Sequence, residues 1–96
     1  MITENKTGVN ISSVVEEAER FRENERLEYI LYREEKNKRE SYSIQAIQYK
    51  HGIKICQATA CDVSSLYDAA KEMFDVVSEG YVEPYVLCDV IYDLMP

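Results

Sequence analysis

Polar and apolar residues change their period several times along the chain, and each change predicts an element. The first ten residues show no period and are expected to form a loose N-terminal arm. Val14, Val15, Ala18 and Phe21 then recur at intervals of three and four between Glu16, Glu17, Glu19, Arg20 and Glu23, the pattern of a helix with one apolar stripe. Ser13-Val14-Val15-Glu16 has the form of a capping box, in which hydroxyl and carboxylate each satisfy a backbone donor, so a helix is expected from Ser13 to Asn24.

From Leu27 to Tyr32 the residues turn aromatic and β-branched, which predicts a strand, and Lys36-Asn37-Lys38-Arg39-Glu40 reads as its hairpin loop. Ser41 to Lys50 places Tyr42, Ile44 and Ala46 on one face of a second strand, with Ile47 and Tyr49 half-covering the other. His51-Gly52 supplies a turn, and Ile53-Lys54-Ile55-Cys56 resumes the alternation toward Ala58 as a third, antiparallel strand.

Asp62-Val63-Ser64-Ser65 offers three residues suited to capping a helix expected from Ser65 to Glu79. Leu66, Ala70, Met73 with Phe74, and Val77 form its stripe, and Gly80 stands where a C′ glycine belongs. Glu83-Pro84 starts a last helix that turns Leu87, Val90, Ile91 and Leu94 inward, because proline at the first helical position gives up no hydrogen bond. The expected fold is α+β, a small three-stranded antiparallel sheet with helices on one face, in the order α-β-β-β-α-α. Such a meander leaves two sheet edges and one incompletely covered face, which homodimerisation would bury.

Ninety-six residues with 46% hydrophobic content support one core and one domain, residues 1–96. Apolar runs of only a few residues fall far short of the ~20 that a membrane helix needs. Met1 to Lys6 has neither a basic leader nor an apolar stretch of the signal-peptide kind, so the expected location is the cytoplasm. Cys56, Cys61 and Cys88 cannot all pair with one another, and their default reading is as small, reduced, buried residues. The sharper alternative joins them with His51 as four metal ligands, but the Cys-x4-Cys spacing is loose for zinc, and no metal or cofactor is expected.

Charge is distributed unevenly. Residues 1–60 hold ten acidic and ten basic side chains, whereas residues 61–96 hold eight acidic ones against Lys71 alone, which accounts for the whole net charge of −7. Asp68, Glu72, Asp75 and Glu79 fall at i, i+4, i+7 and i+11, in one row opposite the stripe of their helix. Asp89 and Asp93 repeat the spacing on the last helix, and Tyr85, Asp89 and Tyr92 share one of its faces, with Tyr81 just upstream. A solvated helix face and half-buried tyrosines are the bland reading. The functional reading is a row of carboxylates ~5–6 Å apart that imitates nucleic-acid phosphates, beside tyrosines of the kind enriched at interfaces.

The C-terminal two-thirds, residues 27–95, resembles a family of short, uncharacterised proteins of Firmicutes bacteria described only as a domain of unknown function. The similar stretches are Tyr42-Ser43-Ile44-Gln45, Asp62-Val63-Ser64, and Val82-Glu83-Pro84-Tyr85-Val86-Leu87-Cys88-Asp89-Val90-Ile91. Ser43 and Val86 stand where the family has glycine and histidine. The resemblance implies no activity.

Catalytic groupings are thin: one histidine in a turn, Ser64 and Ser65 explained as caps, and three glycines with no phosphate-binding loop. Direct nucleic-acid binding is disfavoured because Lys36-Asn37-Lys38-Arg39 is flanked by Glu34, Glu35 and Glu40. The expected function is therefore non-catalytic: an acidic domain that occupies a basic, nucleic-acid-binding surface of a partner protein and inhibits it, similar in size and charge to the anti-CRISPR inhibitors of phages. Its binding residues would be Asp68, Glu72, Asp75, Glu79, Tyr85, Asp89, Tyr92 and Asp93. The alternative is a host regulatory or scaffold domain that acts through homodimerisation.

Overall fold

The computed structural model describes residues 11–95, and the arm expected over residues 1–10 lies outside the described residues. Four antiparallel strands of 12 residues each, β1 (Ile11–Arg22), β2 (Glu25–Lys36), β3 (Arg39–Lys50) and β4 (Ile53–Ser64), form one sheet in chain order. Two helices, α1 (Tyr67–Glu79) and α2 (Pro84–Leu94), follow and cover one face. The order is β-β-β-β-α-α, which corrects the expected α-β-β-β-α-α with three strands. No described helix is long and apolar enough to cross a membrane.

The segment expected as the leading helix is β1. It pairs with β2 from Ile11 opposite Glu35 to Arg22 opposite Glu25, with one irregularity at Val15. Phe21, assigned to the buried stripe of a helix, is 65% exposed on the opposite side of the strand from half-buried Ala18 and Arg20. Without β1, the outer backbone groups of β2, whose Leu27, Tyr29 and Leu31 are fully buried, would lack partners. An isolated 12-residue helix is marginal in water, whereas strand pairing satisfies those groups and adds cross-strand ion pairs, Arg26 with Glu19 at 2.8 Å and Arg22 with Glu25 at 3.0 Å.

Two-residue turns join the strands. Asn37 and Lys38 (φ 53° and 64°), and His51 and Gly52 (51° and 79°), take the left-handed pairs that match the twist of a hairpin. The expected five-residue loop 36–40 thus shrinks to two residues. Toward the end of β4 the register with β3 shifts between Tyr42–Ser64 and Ile44–Ala60, where Asp62 turns to φ 54° and its N–H donates to Ser43 Oγ at 3.2 Å. The same hydroxyl donates to the Glu34 carboxylate at 2.7 Å, so the buried Ser43 is satisfied on both sides.

Leu27, Tyr29 and Leu31 of β2 and Ile44 and Ala46 of β3 are fully buried beneath Ala70, Met73, Phe74 and Val77 of α1 and Leu87 and Ile91 of α2. α1 begins two residues later than expected: Leu66 at its start is exposed, and Ser64 Oγ accepts from the Leu66 N–H at 3.0 Å instead of capping the helix proper. At the other end, Tyr81 (φ 55°) occupies the left-handed C′ position expected of Gly80. Tyr81 N–H donates to Ser78 O and Val82 N–H to Val77 O, closing a Schellman motif. Gly80 lies one position earlier at φ −87°, where an added Cβ would stand 2.9 Å from the Val76 carbonyl oxygen. Arg20 Nε of β1 donates to the same Ser78 carbonyl at 3.1 Å, a cation at the negative end of the helix. Tyr29 Oη donates to Val82 O at 2.8 Å and fastens the loop between the helices to the centre of the sheet.

Candidate protein-binding surface

The helices turn their buried residues toward the sheet and present a second, acidic surface to solvent. On α1, burial of Ala70, Met73, Phe74 and Val77 fixes the opposite side as that of Asp68, Glu72, Asp75 and Glu79. Three of the four carboxylates are exposed. Asp75 is half-buried and paired with Lys71 Nζ at 2.8 Å, and hydrogen bonding to that carboxylate holds the Lys71 ammonium above its ordinary range. The row is therefore not uniform: Lys71, the one cation of α1, is already engaged, leaving Asp68, Glu72 and Glu79 as its free charges.

On α2, Pro84, Leu87 and Ile91 face the sheet, which turns Tyr85, Asp89, Tyr92 and Asp93 outward. Tyr85 is 73% and Tyr92 79% exposed, more than the half-buried packing that is usual for tyrosine. No lysine or arginine lies on α2. Glu83, at the head of the helix, is tied to the sheet by Arg22 at 2.8 Å, and the Arg22 guanidinium also stands 5.9 Å over the Tyr81 ring. The outer layer of the molecule is thus two adjacent helix faces with carboxylates on both and two uncovered aromatic rings on one.

The cysteines differ from expectation: Cys61 and Cys88 are exposed and Cys56 half-buried, so none is a core residue. Cys61 and Cys88 share a shallow groove with Thr59, Ile91 and Tyr92 between β4 and α2. Among the described residues no group of three or more His, Cys, Asp or Glu side chains converges as metal ligands, and His51 lies exposed in its turn at the far end of β4.

The incompletely covered sheet face expected from the sequence is the face that carries no helix. Strand register arranges it in rows: Val14, Tyr32 and Ser43; Glu17, Ile30, Gln45 and Thr59; Glu19, Glu28, Ile47 and Gln57; Phe21, Arg26, Tyr49 and Lys54. The signal was present in the alternation of β2 and β3, where Ile30 and Tyr32, and Ile47 and Tyr49, share this side. Its extent became legible once β1 and the full length of β4 joined the sheet. Comparison with protein-family models, curated proteins and solved structures finds no match for the chain.

Proposed function

We propose that the protein is a non-catalytic binding domain whose acidic helical layer seats on a basic, nucleic-acid-handling surface of a partner protein and blocks it. The observation that carries this reading is the exposure of Tyr85 and Tyr92 beside Asp89 and Asp93, on a helix without a single basic side chain. Rings left in water beside carboxylates are the composition of a protein interface, an aromatic anchor with a charged rim. The free carboxylates Asp68, Glu72 and Glu79 extend the same sign across α1, so a basic partner would be steered from a distance and held less firmly in salt.

The test begins with recovery of partners from a bacterial lysate at low and moderately high salt, followed by measurement of the affinity of the recovered protein. A nucleic-acid-binding partner, displaced by nucleic acid, is expected. Replacing Asp89 and Asp93 with Asn should weaken it at least tenfold, and Tyr85→Ser with Tyr92→Ser should abolish binding while the circular dichroism spectrum is unchanged. Binding that ignores salt, nucleic acid and both variants would remove this reading.

A further inference from the structure

The helix-free face of the sheet has the size, chemistry and charge layout of an interface with a second copy of the same chain. At the usual strand spacing and rise, four 12-residue strands present about 750 Å². A standard interface takes ~800 Å² from each partner. Ile30 and Ile47 are half-buried near its centre, Tyr32 and Tyr49 flank them, and Phe21 stands exposed at one end.

Most polar groups on this face, Arg26, Glu19, Glu28, Tyr32, Gln45, Lys54 and Gln57 among them, are paired sideways within it. Arg26 donates to Glu19 and Glu28 at 2.8 Å each and lies 4.0 Å over the Tyr49 ring. Tyr32 Oη donates to Gln45 at 3.1 Å, and Lys54 Nζ to Gln57 at 2.9 Å. A face most of whose polar tips already have partners loses less on leaving water, because desolvation penalises unpaired groups.

The charges select both the occupant and its orientation. Glu17, Glu19 and Glu28 lie on β1 and β2, whereas β3 and β4 contribute no carboxylate to the four rows and β4 contributes Lys54. A nucleic acid would meet the carboxylates of β1 and β2. A second copy turned about a two-fold axis in the cross-strand direction would set carboxylates against carboxylates. Turned about an axis parallel to the strands, it brings β4 over β1, sets Lys54 over Phe21 and one row, about 7 Å along the strand, from Glu19, and lays the neutral half of each face on the acidic half of the other. Strands of the two sheets then run nearly aligned, the ordinary packing of a β-sandwich.

We infer that the protein forms a two-fold dimer through the open sheet face, with β1 of one copy over β4 of the other and the helical layers outward. Sedimentation velocity of the full chain at roughly 10–100 μM should give twice the mass of one chain. Ile47→Lys should halve it with an unchanged far-ultraviolet spectrum. Should that variant fail to fold, Lys54→Glu on the exposed rim serves instead. It should weaken the dimer at least tenfold, and adding Glu19→Lys to the same chain should restore it. Asp89→Asn with Asp93→Asn should leave the mass at that of the dimer, which separates this interface from the partner-binding layer. A wild-type chain of single mass throughout that range, or a dimer indifferent to Ile47→Lys and to Lys54→Glu, overturns the inference. A Lys54→Glu defect that Glu19→Lys does not repair overturns the orientation.

Discussion

Tyr29 shows how a single side chain both fills and orders the core. Its ring is fully buried among Leu27, Leu31 and the helices, and its hydroxyl reaches the Val82 carbonyl. Burial pushes the phenol from 10.0 up to about 12, because the anion would lose its hydration. The folded pKa is above the unfolded one, so the contribution is complete below pH 10 and is lost as pH rises toward 12. The loss amounts to about 2–3 kcal/mol, and denaturant melts across that range should record it. Tyr29→Phe should cost about 1 kcal/mol at neutral pH by stranding the Val82 carbonyl, and should flatten the alkaline fall. Gly80 is required for a different reason than its sequence position suggests. Its φ is ordinary, and what excludes a side chain is the Val76 carbonyl oxygen 2.9 Å from any Cβ. Gly80→Ala should therefore lower stability by about 1–3 kcal/mol, as other small-to-large changes in packed sites do, measured by urea unfolding.

Among the elements, β1 departs furthest from its local pattern. Val14, Val15, Ala18 and Phe21 satisfy a helical stripe as well as they do any strand. The choice is made by β2, whose outer edge needs a partner, and by α1, whose C-terminal carbonyl at Ser78 receives Arg20 from the middle of β1. Arg20→Met keeps the aliphatic stem over the core but removes that donor. It should lower stability by about 1 kcal/mol, as for an ordinary hydrogen bond, and should speed amide exchange in the last turn of α1 relative to its first. β2, β3 and α2 followed their local signals because those signals were chemically exclusive: Pro84 begins α2, and the apolar positions of β2 and β3 recur at two.

For the whole molecule, charge and layers are organised together. Seven of the eight carboxylates after residue 60 lie in the part of the chain that forms the helical layer, the eighth being Asp62 of β4, and the sheet beneath is laced by Arg20, Arg22 and Arg26. The outer layer therefore repels itself in isolation, a cost that a basic partner or salt would relieve. Raising sodium chloride from ~0.05 to ~0.5 M, which shortens the Debye length severalfold, should raise the melting temperature. Replacing Glu72 and Glu79 with Gln should remove most of that dependence.

The sequence by itself determined the α+β class, the two C-terminal helices and most of their buried stripes, though Leu66 and Leu94, expected inward, are exposed, the middle strands, and the concentration of acid after residue 60. These rest on periodicity, proline placement and composition, which are local properties. It also placed Asp68, Glu72, Asp75, Glu79, Tyr85, Asp89, Tyr92 and Asp93 on faces opposite buried residues. Only the tertiary structure decided that residues 11–22 are a strand, that Tyr81 and not Gly80 turns left-handed, that Asp75 is paired with Lys71, and that the uncovered sheet face is four strands wide. Each of these depends on a partner distant in the chain or on a backbone angle set by packing. A side chain's local pattern states which faces are available to it, and the rest of the molecule settles which of them is covered.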